Sequence, residues 1–176
     1  VRGVYNEDGL FAERVGWHLP GFDDDDWPAA NNSLSFTGAT VKFFRTVIPP
    51  LDIPQGVDVS ISFVFSASSV GNSSSSSSST GGNTRAFRAQ LFVNGYQYGR
   101  FNPYVGNQIV YPVPPGILDY NGENTIGVAV WAQTEAGASL ELDWRVNYVV
   151  DSSLDVANLD VGGLRPEWEE ERLSFA

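Results

Sequence analysis

From Leu140 to Val150 the apolar side chains hold one phase. Leu140, Leu142, Trp144, Val146, Tyr148 and Val150 take one side, and Glu141, Asp143, Arg145 and Asn147 the other. A period of two held over six positions describes a long strand with one wet face. Similar rows recur upstream. Val59, Ile61, Phe63 and Phe65 face away from Ser60 and Ser62, Phe87, Ala89, Leu91 and Val93 form another row, and Ile126, Val128 and Val130 oppose Trp131. Val41–Ile48 stops at Pro49-Pro50, and the short run Gln108–Val113 stops at Pro114-Pro115-Gly116. No ten-residue segment between these runs carries a convincing helical period. Parallel strands need such a crossover, so the expected fold is all-β, an antiparallel β-sandwich of the jelly-roll kind. Its expected core is Phe63, Phe65, Leu91, Val93, Val128, Val130, Leu142 and Trp144. Short helical turns are expected at Asp23–Trp27 and Gly116–Tyr120.

Within AQLFVNGYQYGRF, residues 89–101, Asn94-Gly95 sits between two alternating runs. A two-residue hairpin needs positive φ at both central positions, and Asn-Gly supplies it. The returning strand carries Tyr96, Tyr98 and Phe101 around Gly99 and Arg100. Together with Tyr104, Trp17, Trp27 and Trp131 these rings offer either stacking faces for a sugar or the wall of the sandwich. Trp17, Tyr96, Tyr98, Arg100 and Tyr104 are the candidate sugar or domain contacts. Arg100, with its planar donor fork, suits a carboxylate or carbonyl on a neighbour.

With 176 residues the chain suits one domain that buries roughly 70% of its extended surface. The expected sandwich spans residues 1–150. It is interrupted by a Ser-rich loop at 67–84, containing seven consecutive serines from Ser73 to Ser79, which cannot pack a core and is expected to be mobile. Residues 151–176 form an acidic tail, where Trp168 docks a short turn or lies on an extended arm. No cysteine is present, which excludes disulfides and thiolate metal sites. No methionine is present either, so a chain opening at Val1 is expected to be a piece or product of a longer polypeptide. No apolar run is long enough for a membrane helix. The sequons at Asn31 and Asn72 fit a secretory, extracellular origin. A net charge of −11 repels phosphate backbones and anionic lipid surfaces, which argues against nucleic-acid and membrane partners.

The chemistry-bearing residues are sparse. Glu141 and Asp143 share a strand face roughly 7 Å apart, a separation within the inverting-glycosidase range; a solvated outer face shows the same pattern and is the favoured reading. Glu135 is a third acid. Asp23–Asp26 has the hard oxygens of a calcium loop, or else caps a turn and meets water. His18, the only histidine, lies between Gly16-Trp17 and Leu19-Pro20-Gly21, a rigid turn with no nucleophile elbow nearby. No catalytic residue, metal ligand or cofactor is assigned.

Taken in order, several segments add specificity. Gly16-Trp17-His18-Leu19-Pro20-Gly21-Phe22-Asp23-Asp24 is followed by Trp27, then by Phe43-Phe44-Arg45-Thr46 and Leu51-Asp52-Ile53-Pro54-Gln55-Gly56. Next come Arg88 through Arg100, Val113-Pro114 with Gly116-Ile117-Leu118, and Asn124-Thr125-Ile126 through Trp131-Ala132. From about Gly3 to Trp144 the chain resembles the C-terminal jelly-roll domain, galactose-binding-like in fold, of fungal β-galactosidases of glycoside hydrolase family 35. The Ser-rich loop and the Asp25-Asp26 pair depart from that pattern. The resemblance implies a non-catalytic domain of a secreted, multi-domain retaining enzyme that removes terminal non-reducing β-D-galactosyl residues. The family's catalytic glutamates lie in an N-terminal (β/α)₈ barrel, so none carries over to this chain. The implied partners are that barrel and the enzyme's other domains, and galactosides if the domain binds sugar. Two other readings stand beside it: a stand-alone, lectin-like galactoside-binding module, and an interface domain without ligand.

Overall fold

The computed structural model describes residues 9–30, 33–67, 86–114 and 116–152. Asn31, Asn72, most of the Ser-rich stretch and residues 153–176, with Trp168, lie outside the described residues. One helical turn, α1 (Phe11–Arg14), precedes seven strands: β1 (Val41–Ile48), β2 (Val57–Ala67), β3 (Phe87–Val93), β4 (Tyr96–Phe101), β5 (Val110–Pro112), β6 (Asn124–Ala132) and β7 (Leu140–Asp151). They form two antiparallel sheets, one ordered β1-β6-β3-β4 and the other β5-β2-β7. Every connection except the β3–β4 hairpin passes from one sheet to the other. Cores of such sandwiches form where the two inner faces meet.

Here that layer contains Phe63 and Phe65 from β2, Phe87, Leu91 and Val93 from β3, Phe101 from β4, and Val128 and Val130 from β6. Six of the eight residues expected in the core are there, all buried. The Asn-Gly hairpin also forms as expected, with Val93 paired to Tyr96 and φ of 49° at Asn94 and 87° at Gly95.

Of the other two, Leu142 is half-buried and packs against the core, whereas Trp144 is 45% exposed. Both lie on β7, an edge strand of the smaller sheet. A side chain at a sheet margin can point inward and still meet water, and alternation along one strand carries no sign of where that strand sits. The single phase read from Leu140 to Val150 is also broken. Ser60 pairs with Tyr148 and Ile61 with Val146, so Asn147 is an extra residue in the ladder. Directly opposed residues share a face, which puts Val149, opposite Val59, on the inner side and moves Tyr148 and Val150 to the outer side. The Asn147 amide donates to the Ser60 and Ser62 hydroxyls at 3.1 and 2.7 Å, which anchors the bulge.

Two further differences are local. Asp23–Trp27 and Gly116–Tyr120 are turns without helix, and among the described residues the helical turn forms at Phe11–Arg14, where the Glu13 carboxylate accepts the Leu10 N–H at 2.6 Å. The segment after α1 covers the outer face of the larger sheet. Trp17 packs on Trp27 and Phe43, with ring centroids 5.0 and 5.9 Å away, and Phe43 lies 5.8 Å from Phe92. Beneath these rings β6 has Gly127, where a Cβ would come within 2.7 Å of the Phe43 ring. This aromatic cover explains why β6 is buried on both faces.

Candidate functional site

The five candidate contact residues do not converge on one site. Trp17 belongs to the aromatic cover beside Phe43 on β1, at the opposite margin of the sheet from β4. Tyr104 follows β4 in an irregular segment and is half exposed, as is Ile109 further along. Arg100 is exposed and its Nη2 reaches the Gln97 side chain only at 3.5 Å.

Tyr96 and Phe101 are five residues apart, yet they oppose the inward-facing Val93 and Ala89. An odd separation on one face requires an extra residue, and the ladder gives Tyr98 no partner between Gln97 and Gly99. The bulge lets Tyr98 pack against the core. It also places Gly99 where a Cβ would lie 3.1 Å from the Tyr111 ring and 3.2 Å from Leu91. Tyr111 closes the contact by donating its hydroxyl to the Arg100 carbonyl at 2.8 Å. Gly99-Arg100 is therefore a site of close approach between the two sheets.

The Tyr98 hydroxyl is enclosed and finds no partner among the described residues, and burial pushes its pKa well above the ordinary tyrosine range. Tyr111 is raised too, also by burial. In the unfolded chain both ionise near pH 10, whereas the folded chain holds their protons longer. The folded state thus binds more protons in that range, and stability falls as pH rises above about 10. Tyr98→Phe removes an unpaired polar atom. At pH 7 the variant is expected to equal or exceed the parent in stability by up to about 1 kcal/mol. It should also lose less between pH 7 and about 11, with the Tyr111 share remaining. Urea midpoints at the two pH values measure this, and a variant clearly weaker at pH 7 would show that the hydroxyl has a structural partner.

Among the acids, Glu141 and Asp143 are both exposed, and Glu141 accepts from the Ser66 hydroxyl at 3.4 Å. They stand at the rim of a 420 Å³ cavity between β1 and β7 whose other lining includes Leu34, Phe44, Ile126, Val128 and Leu142. Ser33, Arg45 and Thr46 line it as well, so its walls mix polar and apolar groups, and both carboxylates stay exposed to water. Asp23 accepts the Asp25 N–H at 3.2 Å, and Asp24 pairs with the enclosed Arg45 guanidinium at 2.8 Å. Arg45 also donates to the Leu19 carbonyl at 3.3 Å, so the acidic run is engaged in fixing the turn to β1. No group of three His, Asp or Glu among the described residues is placed to hold a metal ion. His18 is buried with its ring 5.3 Å from Phe92.

One constellation has no counterpart in the sequence reading. Asn94 donates through Nδ2 to the Ile117 carbonyl at 2.7 Å and to Asn124 Oδ1 at 2.8 Å, while its Oδ1 accepts the Thr125 N–H at 2.8 Å. Buried Asn124 in turn accepts the Asp119 N–H at 2.7 Å and donates to the Asp119 and Gly122 carbonyls. A hairpin asparagine thereby ties β3–β4 to β6 and to the turn before it. The only sequence signal was the Asn-Gly pair, which speaks of the turn and not of its partner.

Comparison with known families settles the relationship. The family described as the beta-galactosidase second all-beta domain matches residues 11–136. The chain belongs to this family. The match runs from α1 through β6 and ends short of β7. Three similar proteins are each called a probable beta-galactosidase B. That of Emericella nidulans is 78% identical over 92% of this chain, that of Aspergillus niger 67% over 100%, and that of Penicillium rubens 65% over 100%. The aligned part is 15%, 16% and 17% of those proteins respectively, so this beta-galactosidase domain spans about one sixth of the length of the curated relatives it matches.

Proposed function

We propose that this chain is a non-catalytic domain of a secreted, retaining fungal β-galactosidase that removes terminal non-reducing β-D-galactosyl residues. In that role it lies C-terminal to the catalytic barrel, buttresses it and helps shape the approach of substrate. The finer description as a jelly roll, the extracellular location and glycosylation at Asn31 and Asn72 belong to the same proposal. The observation that carries it is the high identity along nearly the whole chain to proteins called probable beta-galactosidase B, of which it is a small part. The exposed setting of Glu141 and Asp143 agrees, since glycoside hydrolysis needs an enclosed, fixed carboxylate pair.

The 176-residue chain alone should turn over no chromogenic β-galactoside, and calorimetric titration with galactose should give no saturable heat. Turnover abolished by Glu141→Gln would overturn the non-catalytic reading. Saturable galactose binding by the isolated chain would favour a lectin-like module instead.

A further inference from the structure

The smaller sheet ends at β7, whose first residue, Leu140, accepts the Leu34 N–H at 3.3 Å; from Glu141 on, no strand pairs with its outer side among the described residues. At 12 residues β7 is the longest strand among the described residues, and it contains neither Pro nor Lys. Long edges template pairing with other chains, and proteins ordinarily shorten, charge, bulge or cover them. The strand changes character along its length. Its first half shows water Glu141, Asp143 and Arg145. Beyond the Asn147 bulge it is apolar on both sides, with Val149 turned inward and Tyr148 and Val150 outward, and Tyr148 and Val149 are each 62% exposed. Trp144, Val146 and Val149 line an apolar groove of 280 Å³ with Val59 and Ile61 from β2 and the Leu51–Pro54 connection. An apolar groove beside a free strand edge has the shape that extended segments fill, because main-chain hydrogen bonds and alternate side chains are satisfied together.

We propose that the free edge of β7 and this groove are where another domain of the same β-galactosidase polypeptide docks, adding an extended, apolar segment alongside Trp144–Val150. This inference rests on the domain reading above. A second copy of the chain fits poorly. Each copy carries a net charge of −11, and antiparallel pairing of two β7 strands about Val146 would oppose Glu141 to Asp151 of the other copy, a like-charge pair at both ends. A tethered domain meets the surface at high effective concentration, and the matched relatives are about six times as long as this chain.

Hydrogen exchange followed by mass spectrometry on the 176-residue chain and on the full-length enzyme tests this. The β7 amides that point away from β2 should exchange at least about tenfold more slowly in the full-length enzyme. Val146→Arg combined with Val149→Lys should abolish that difference and leave the melting temperature of the 176-residue chain unchanged. Equal exchange in the two forms would overturn the proposal. So would a dimeric 176-residue chain in light scattering with β7 already protected, which would make the occupant a second copy. Protection in the short chain that is lost on deleting residues 153–176 would also overturn it, assigning the groove to the chain's own end. If exchange is equal while the full-length enzyme turns over galactoside and the short chain does not, the docking proposal falls and the domain reading stands.

Discussion

Phe65→Ala is expected to lower the unfolding free energy by about 3–5 kcal/mol. Phe65 has no exposed surface and lies on β2, in the three-stranded sheet. Its ring stacks on Phe101 of β4 at 5.0 Å with the planes 5° apart, and Tyr111 meets it edge-on at 5.6 Å. Phe65 thus joins the two layers at their centre. Truncation leaves a cavity whose walls belong to different sheets and are held by separate ladders, so they cannot close without disturbing both. Against a total stability of about 5–15 kcal/mol for a typical domain, the loss removes much of the margin. Urea titration should show a large drop in midpoint with an unchanged slope. A cost below about 1 kcal/mol would mean that the sheets slide to fill the gap.

Asn124→Ala should cost about 3–4 kcal/mol, although the residue is polar and contributes no apolar burial. Its side chain makes four hydrogen bonds with no exposed surface, to the Asn94 side chain, the Asp119 N–H and the carbonyls of Asp119 and Gly122. Each buried partner left unpaired costs about 1–3 kcal/mol, and the partly exposed turn at 119–122 regains some through water. Because Asn94 acts through the same contact, Asn94→Ala combined with Asn124→Ala should cost less than the sum of the two. A double-mutant cycle by urea titration measures the coupling. Full additivity would show that the two asparagines act separately.

These two residues mark what was legible in the sequence and what was not. Phe65 was readable because local alternation fixes which face a side chain takes, and the inner faces of β2, β3 and β6 follow it. Asn124 was not, because its role depends on Asn94, in a hairpin 30 residues away in the chain, as well as on the turn just before it. The bulges at Tyr98 and Asn147 were hidden for a related reason: period-two reading assumes an unbroken register, and one extra residue reverses every later side chain. Trp144 fits its alternation and is exposed all the same, since a strand's place at a sheet margin is a property of the assembled sheet. Of the candidate contacts, the hairpin of Tyr96, Tyr98 and Arg100 was visible through Asn94-Gly95, and the bulge that sets Gly99 opposite Leu91 was not. The aromatic segment around Trp17 carries too little periodicity to reveal that it lies over β1 and β6.

Catalysis by a full-length β-galactosidase carrying this domain should be indifferent to its carboxylates. With Glu141→Gln and Asp143→Asn combined, kcat on a chromogenic β-galactoside should stay within about twofold of the parent, and circular dichroism should report an unchanged fold. A loss of about a hundredfold or more in kcat, the scale of a removed general acid or base, with the fold intact, would contradict the assignment of this chain as a non-catalytic domain.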